Sequence, residues 1–186
     1  MPVNLAEWDG PLELSQVDEK PQQPLVATFG SVTVEKLGQI LTPFQVKQMP
    51  TIHWEGMDPN SLYTFIFTDP DVPCREDPSI GEWHHCIVVN MKGNDLNSGC
   101  TLTKYVGSAP GKDTGCHRYT LLVYKQNGPL KCDEPILGDT CAENREKFKA
   151  KKFRQKYKLG RPVAGTCYLA EWDESVPAIY RQLGVM

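Results

Sequence analysis

Proline and glycine residues divide this chain into short segments, and this division constrains its fold more than any other feature. The sequence contains 15 of each among 186 residues, and such residues mark turns between short elements. The segments between them are rich in β-branched and aromatic residues, which is typical of strands. Clear strands are predicted at Leu62–Thr68, His84–Met91 and His117–Tyr124, and weaker ones at Leu25–Phe29 and Gly165–Leu169. The pattern predicts a mainly β chain, with an antiparallel sheet or sandwich and peripheral helices.

Helical spacing occurs only near the C-terminal end. One apolar stripe, formed by Ala150, Phe153 and Tyr157, predicts a short basic helix. A second stripe predicts a C-terminal helix; it comprises Val176, Ile179, Tyr180 and Leu183, preceded by Asp173 as the N-cap. Because no repeat, low-complexity tract or linker interrupts the chain, we expect a single domain spanning residues 1–186.

Composition and charge argue against several classes of protein. The net charge of -3 and the pI of about 5.8 give no electrostatic reason to expect nucleic-acid binding. No apolar run approaches the roughly 18–20 residues that span a bilayer, and the acidic stretch Met1–Asp9 lacks the build of a signal peptide. The 7 cysteines, an odd number without a Cys-x-x-Cys pair, are typical of free thiols in a reducing compartment. We therefore expect a cytoplasmic protein.

Positive charge is concentrated in one segment, residues 145–161. Nine Lys or Arg residues lie there beside a single acid, Glu146, although the chain as a whole is acidic. One interpretation is a solvated helix face, which is the ordinary role of a charged run. The other is a docking surface for an acidic partner or an anionic membrane.

Two aspartates and two histidines lie at the ends of predicted strands. Asp69 and Asp71 follow a strand and flank Pro70, whose ring stiffens the loop. Side chains alternate along a strand, so His85 from one strand and His117 from another can face a common pocket with an apolar floor. An isolated Asp-Pro-Asp sequence usually only closes a strand with Asx turns. With both histidines nearby, it indicates a ligand site.

The segment between the two histidine strands, Tyr105–Lys112, is rich in small residues. Such a loop can be a simple turn, or it can present backbone N–H groups to an anion. Beside the histidines it indicates phosphate binding, and the aspartates could accept hydrogen bonds from an ammonium group, so the site suits a small zwitterion. Protonation of His85 or His117 would strengthen phosphate binding, so we expect affinity to fall between roughly pH 6 and 8.

Catalysis and metal binding have weaker support. Asp and His residues could act as acid and base, but no nucleophile motif such as Gly-x-Ser-x-Gly is present. The same residues could form a mixed nitrogen and oxygen metal site, but the His-Glu-x-x-His spacing is absent. We therefore expect a protein that is not an enzyme and that needs no metal or cofactor.

Contiguous motifs along essentially the whole chain carry a family resemblance. They are Leu41–Pro43, Thr68–Pro73, Glu82–His85, Val88–Asp95, Gly115–Tyr119, Lys131–Leu137 and Pro162–Tyr168. In these motifs the sequence resembles the phosphatidylethanolamine-binding proteins, also called Raf kinase inhibitor proteins, and is most similar to their animal cytosolic branch. The resemblance implies a large central antiparallel sheet packed on a smaller sheet, with peripheral helices that include a C-terminal one.

The resemblance also implies a set of pocket residues. Carried over by position, they are Asp69, Asp71, Pro73, Trp83, His85, Gly107, Pro110, His117 and Tyr119, with Tyr180 closing one side. In this family picture, His85 and the backbone amides of residues 107–110 bind a phosphoryl group. Tyr119 adds a hydroxyl donor, and Trp83 forms an apolar wall.

The implied function is that of a monomeric, non-enzymatic regulator. It would bind phosphorylethanolamine-like anionic head groups, and it would bind and inhibit a Raf-type kinase in MAP kinase signalling. Nucleotide (ATP) binding and peripheral contact with a membrane belong to the same expectation. The alternative is a protein without a kinase role, either a binder of lipid head groups or nucleotides or a serine protease inhibitor.

Four positions depart from the family pattern. Ala109 and Gly111 stand in a loop that is Gly-Pro-Pro in mammalian members, and they could narrow or loosen the rim. Gly81 replaces a larger residue before Glu-Trp, at a peptide step that is often cis in the family. Lys152 occupies the position of the serine that acts as a phosphorylation switch in mammalian relatives, so that switch cannot operate here.

Overall fold

The computed structural model describes residues 1–186 and contains ten strands and two α-helices. The strands are β1 (Gln23–Pro24), β2 (Val26–Phe29), β3 (Val32–Thr33), β4 (Gln39–Ile40), β5 (Thr51–His53), β6 (Leu62–Asp69), β7 (Trp83–Lys92), β8 (Cys100–Thr103), β9 (His117–Lys125) and β10 (Ala164–Ala170). The helices are α1 (Ala150–Lys156) and α2 (Val176–Gln182), and short 3-10 helices cover Leu5–Glu7, Leu14–Gln16 and Leu96–Ser98. The predicted mainly β class is confirmed. No helix has the length and apolar composition needed to cross a bilayer.

The strands form two sheets. The larger one has seven strands in the order β1-β10-β9-β6-β7-β8, with β4 also paired to β10, and the smaller one has the order β3-β2-β5. The pairs from β10 to β8 are antiparallel, but β1 and β4 run parallel to β10. The predicted antiparallel pairing is therefore confirmed from β10 to β8, and the large sheet is mixed only through the parallel strands β1 and β4. A two-residue strand is too short to show the alternating pattern from which strand pairing is inferred.

A single apolar core joins the two sheets. Phe29 and Ile52 of the smaller sheet and Phe65 and Leu121 of the larger one belong to one cluster of 36 buried residues. Strands β6 and β9 are buried along almost their whole length. Side chains on successive positions of a strand point to opposite faces, so both faces of these central strands are covered. The polar residues at their ends are thus anchored to a rigid base.

Helix α1 is tied to the N-terminal region by a buried ion pair. Arg154 donates to the carboxylate of Asp18 from Nε at 2.7 Å and from Nη2 at 2.9 Å. The hydroxyl of Tyr124 donates to the same carboxylate at 2.7 Å, and Asp18 is fully buried. One carboxylate therefore holds together the N-terminal segment, β9 and α1.

Helix α2 begins two residues later than the predicted cap implies. Its N-cap position is Ser175, and its first residue is Val176. Asp173 accepts hydrogen bonds from the Ser175 backbone N–H at 2.8 Å and from the Ser175 hydroxyl at 2.5 Å. Asp173 therefore forms an Asx turn that leads into the helix. The predicted apolar stripe of the helix is confirmed, because Val176 and Ile179 are buried.

We expect Asp18→Ala to lower the free energy of unfolding by about 3–5 kcal/mol, because it removes the buried carboxylate that pairs with Arg154 and accepts from Tyr124, and leaves Arg154 only the exposed Glu19. Glu19→Ala is the matched control. Glu19 also pairs with Arg154, at 2.6 Å, but its side chain is 58% exposed, and exposed pairs contribute about 0–1 kcal/mol. Urea denaturation followed by tryptophan fluorescence measures both variants, and equal losses would contradict the importance of the buried pair.

Candidate functional site

Three strand ends meet at one side of the large sheet. Strand β6 ends at Asp69, which lies opposite Trp83 at the start of β7. Strand β9 begins at His117, and its Thr120 is paired with Thr68 near the end of β6. Antiparallel pairing places the end of one strand beside the start of the next. Residues far apart in the sequence are thereby brought together.

A cavity of about 290 Å³ opens at these strand ends. The predicted site residues that line it are Asp69, Pro73, Trp83, His85, His117 and Tyr180. Apolar walls come from Val72, Ala109, Ala142, Leu183 and Val185, and the lining is completed by Gly111, Thr114 and Glu146. The volume lies at the lower end of the range for small-molecule sites, so the cavity suits a head group better than an acyl chain.

Asp71 does not line the cavity, because its carboxylate is fully buried against Arg118. Arg118 donates to it from Nε at 2.9 Å, from Nη2 at 2.7 Å and from its backbone N–H at 2.8 Å. The expectation that both aspartates face a ligand is therefore corrected. Asp71 instead holds the start of β9 against the loop after β6. Asp69 and Asp71 thus have different roles, although only Pro70 separates them in the sequence.

Tyr119, Gly107 and Pro110 also lie off the cavity surface. Tyr119 is fully buried, stacks on the ring of Tyr168 at 5.2 Å and has a hydroxyl without a hydrogen-bond partner. Gly107 lines a separate cavity of about 340 Å³, and Pro110 is buried. From residues 107–110, only Ala109 lines the first cavity.

Asp69, His117 and Thr114 form a hydrogen-bonded chain in the cavity wall. Nδ1 of His117 lies 2.8 Å from Oδ2 of Asp69, and its Nε2 lies 2.7 Å from Oγ1 of Thr114. Because the Thr114 hydroxyl donates its hydrogen to the carbonyl of Gly111 at 2.6 Å, Nε2 of His117 must donate to Thr114. Burial alone would lower the pKa of His117, but the hydrogen bond and charge of Asp69 outweigh burial and raise it. Burial also raises the pKa of Asp69.

His85 is a neutral imidazole with one free nitrogen. Its Nδ1 donates to the carbonyl of Val106 at 2.8 Å, which leaves Nε2 as an acceptor. Burial lowers the pKa of His85 to about 3, and the charge of Arg145 acts in the same direction. The cavity therefore has a neutral acceptor at His85, whereas the sequence analysis expected protonation of His85 or His117 to strengthen phosphate binding.

Arg145 is a buried cation behind one wall of the cavity, and the sequence reasoning did not single it out. Its guanidinium donates, at 2.7–3.3 Å, to the carbonyl oxygens of His84, His85, Lys104, Gly138 and Cys141. The guanidinium carbon lies 5.0 Å from the centre of the Trp83 ring. Burial lowers the pKa of Arg145 to about 10, so it is charged at neutral pH. No local pattern distinguishes it from the exposed cations of residues 145–161.

The positions that depart from the family pattern leave the cavity open. At Gly81 the backbone of Pro70 approaches the place that a Cβ would occupy, so this close contact requires glycine. The peptide bond that follows Gly81 is cis. At Gly111 a Cβ would lie 3.1 Å from Cγ2 of Thr114. Ala109 and Gly111 both line the cavity, and neither closes it.

Between pH 6 and 8, we expect His84 and His85 to stay neutral, whereas His117 should keep its proton to a higher pH than an unperturbed histidine does. Burial lowers the pKa of His84 to about 4 and that of His85 to about 3, whereas Asp69 raises that of His117. Nitrogen-15 spectra of labelled histidine rings measure all three. Asp69→Asn should move the His117 transition to lower pH, and a transition of His85 in this range would contradict its neutral state.

Comparisons with known proteins agree with this fold. The family model described as "Phosphatidylethanolamine-binding protein" matches residues 31–168. "Putative odorant-binding protein A5" of Drosophila melanogaster is 37% identical over 167 residues, which are 90% of this chain and 79% of that protein. Carboxypeptidase Y inhibitor, solved with its cognate proteinase, has a TM-score of 0.73 at 21% identity and covers 91% of this chain and 95% of its own.

A further solved structure, the phosphatidylethanolamine-binding protein from Plasmodium vivax, has a TM-score of 0.73 at 20% identity. The match covers 92% of this chain and 99% of that one. At such low identity, the likeness of this structure and of the carboxypeptidase Y inhibitor shows the fold alone. The family model, however, matches well over half of the sequence. The chain belongs to the phosphatidylethanolamine-binding protein family.

Proposed function

We propose that this chain is a non-enzymatic binding protein whose cavity holds a small phosphorylated head group of the phosphorylethanolamine type. The observation that carries this proposal is a cavity of head-group size with the buried charge of Arg145 behind its Trp83 wall. Because Arg145 is held by carbonyl oxygens and has no carboxylate partner, its charge favours an anion in the cavity. Family membership supports the same ligand class.

His85 would serve the phosphate as a hydrogen-bond acceptor. A phosphate monoester with one negative charge still carries a P–OH group, which can donate to Nε2 of His85, and its second ionisation has a pKa of about 6. A phosphodiester head group lacks this hydrogen, so its binding would need proton uptake at Nε2. In both cases, binding weakens as the pH rises.

The direction of the hydrogen bonds supports a binding role over catalysis. Asp69, His117 and Thr114 lie in the order of an acid, a base and a nucleophile. A general base must accept the proton of the nucleophile, but Nε2 of His117 donates to Thr114, whose own hydrogen is directed to Gly111. The hydroxyl of Thr114 is therefore not activated. The named relatives are likewise described as binding or inhibitor proteins.

A finer proposal is that the chain binds and inhibits a Raf-type kinase in MAP kinase signalling through the basic segment 145–161. Four of its cations have intramolecular partners: Arg145 with carbonyls, Lys149 with Gly81, Arg154 with Asp18, and Lys156 with Asp133 and Glu134. The remaining exposed cations, here called the docking face, are Lys147, Lys151, Lys152, Lys158 and Arg161. They would meet an acidic protein surface, and the same face would make peripheral contact with an anionic membrane. Lys152 makes this docking independent of the phosphorylation switch used in mammalian relatives.

Head-group or nucleotide binding without a kinase role is the alternative, because the same cavity would accept any small phosphate ester. Serine protease inhibition is a further alternative, since the carboxypeptidase Y inhibitor has the same fold. We propose a cytoplasmic location, because the 7 cysteines are all unpaired and free thiols persist in reducing compartments. A monomeric state is proposed from the family resemblance.

An amide NMR titration with O-phosphoethanolamine at pH 6 should shift residues of the cavity lining. His85→Ala should weaken binding at least about tenfold, the loss expected for a hydrogen bond to a charged group. Phe44→Ala, in the separate cavity, should leave the affinity unchanged. No shifts at millimolar ligand would overturn the head-group proposal. Equal affinities at pH 6 and pH 8 would mean that backbone donors bind the phosphate without a proton at His85.

The kinase proposal is tested by reversing charge on the docking face. Lys151→Glu combined with Lys158→Glu should abolish binding to a Raf kinase domain at micromolar concentration in a pull-down or calorimetric assay, because like charges would then meet. The same variant should bind O-phosphoethanolamine as the unmodified chain does, since neither residue lines the cavity. If the unmodified chain fails to bind or inhibit any Raf kinase domain, the kinase role is abandoned while the head-group proposal stands.

A further inference from the structure

The carboxylates that the sequence assigned to a ligand ammonium group are already occupied. Asp69 is hydrogen-bonded to Nδ1 of His117 at 2.8 Å. Asp71 is fully buried in its pair with Arg118. A zwitterionic head group in this cavity would therefore need another carboxylate for its cationic end.

Glu146 is a carboxylate that lines the cavity and has no partner. Its side chain is exposed, and it contributes to the same lining as Asp69 and His85. The ion pairs of the chain, defined by contacts of up to 4 Å, do not include it. Glu146 is therefore available to a cation that enters the cavity from solvent.

The backbone on both sides of Glu146 is fixed. The carbonyl of Arg145 accepts a hydrogen bond from the His84 N–H at 3.0 Å. On the other side, the N–H of Lys147 donates to the carbonyl of Ile80 at 2.9 Å. Because these bonds tie the segment to β7 and to the chain before it, Glu146 is held at the rim with little freedom of its backbone. Such preorganisation lowers the entropy cost of binding a ligand.

Arg145 and Glu146 are consecutive residues with opposite charges and opposite placements. Arg145 is buried behind Trp83, whereas Glu146 is exposed at the rim. The cavity therefore has a positive charge behind one wall and a negative charge at its opening. A ligand with an anionic end and a cationic end fits this arrangement with its phosphate towards Trp83 and its ammonium group towards Glu146.

We propose that Glu146 recognises the ammonium group of a zwitterionic phosphate ester and is the specificity-determining residue of the cavity. This inference rests on the head-group function proposed above and adds the residue that contacts the cationic end of the head group. The ion pair forms at an exposed rim, where such pairs are worth up to about fivefold in affinity. Glu146 thus selects among phosphate esters, while the phosphate itself is bound deeper in the cavity.

Isothermal titration of the full chain with O-phosphoethanolamine and with ethyl phosphate tests this inference. The two ligands differ by the ammonium group. In Glu146→Gln, the ratio of the affinity for O-phosphoethanolamine to that for ethyl phosphate should fall by up to about fivefold relative to the unmodified chain. The test compares the ratio of the two affinities in the variant with the same ratio in the unmodified chain. Any intrinsic difference in affinity between the two ligands is common to both proteins and cancels.

Glu143→Gln is the matched control, since it makes the same charge change at an exposed acid outside the cavity lining. It should leave the ratio of the two affinities unchanged. A ratio that is the same in Glu146→Gln and in the unmodified chain would overturn the role of Glu146, although both ligands still bind and the head-group function stands. Failure of both ligands to bind the unmodified chain would overturn the head-group function and this inference together.

Discussion

Burial of the Arg145 guanidinium constrains the whole wall of the cavity. Its donors reach carbonyls from strand β7, from the segment after β8 and from the loop before α1, namely those of His84, His85, Lys104, Gly138 and Cys141. A buried charge is tolerated only where its hydrogen bonds are satisfied. Moving any of these segments would leave donors of the guanidinium unpaired, at a cost of about 1–3 kcal/mol or more for each buried group. The position of Trp83 and the backbone of His85 are therefore fixed by one side chain.

The two histidines of the cavity are in opposite states because their partners differ. His85 donates to a carbonyl and lies near the Arg145 charge, so burial and that charge keep it neutral. His117 faces the carboxylate of Asp69, which stabilises its protonated form. Two residues of the same type thus contribute an acceptor and a charge-paired donor. The type of residue alone does not determine the chemistry of the site; its hydrogen-bond partner does.

The strands that carry the site could largely be predicted from the sequence, because the alternation of side chains along a strand is visible within a few consecutive residues. The predicted strand Leu62–Thr68 corresponds to β6, and the alternation in His84–Met91 placed His85 on the cavity face. The roles of Asp71 and Arg145 were not foreseeable. Asp71 pairs with an arginine 47 positions away, and no periodicity reports such a contact. The two parallel edge strands were missed for the same reason, since their pairing with β10 is long-range and each has two residues.

Some residues of the cavity lie on strands of the sheet and others lie in loops, and the two groups affect ligand binding differently. His85 and His117 belong to paired strands, and Asp69 ends one. The positions of these polar side chains at the floor of the cavity can therefore shift only if the sheet itself shifts. Ala109, Gly111 and the residues around Glu146 lie in loops, which tolerate substitution far more readily than paired strands do. The floor of the cavity, with the buried Arg145 charge behind it, favours anions in general. In the head-group function proposed above, the choice between one phosphate ester and another would depend on the rim, where a single exposed carboxylate can alter selectivity without disturbing the fold.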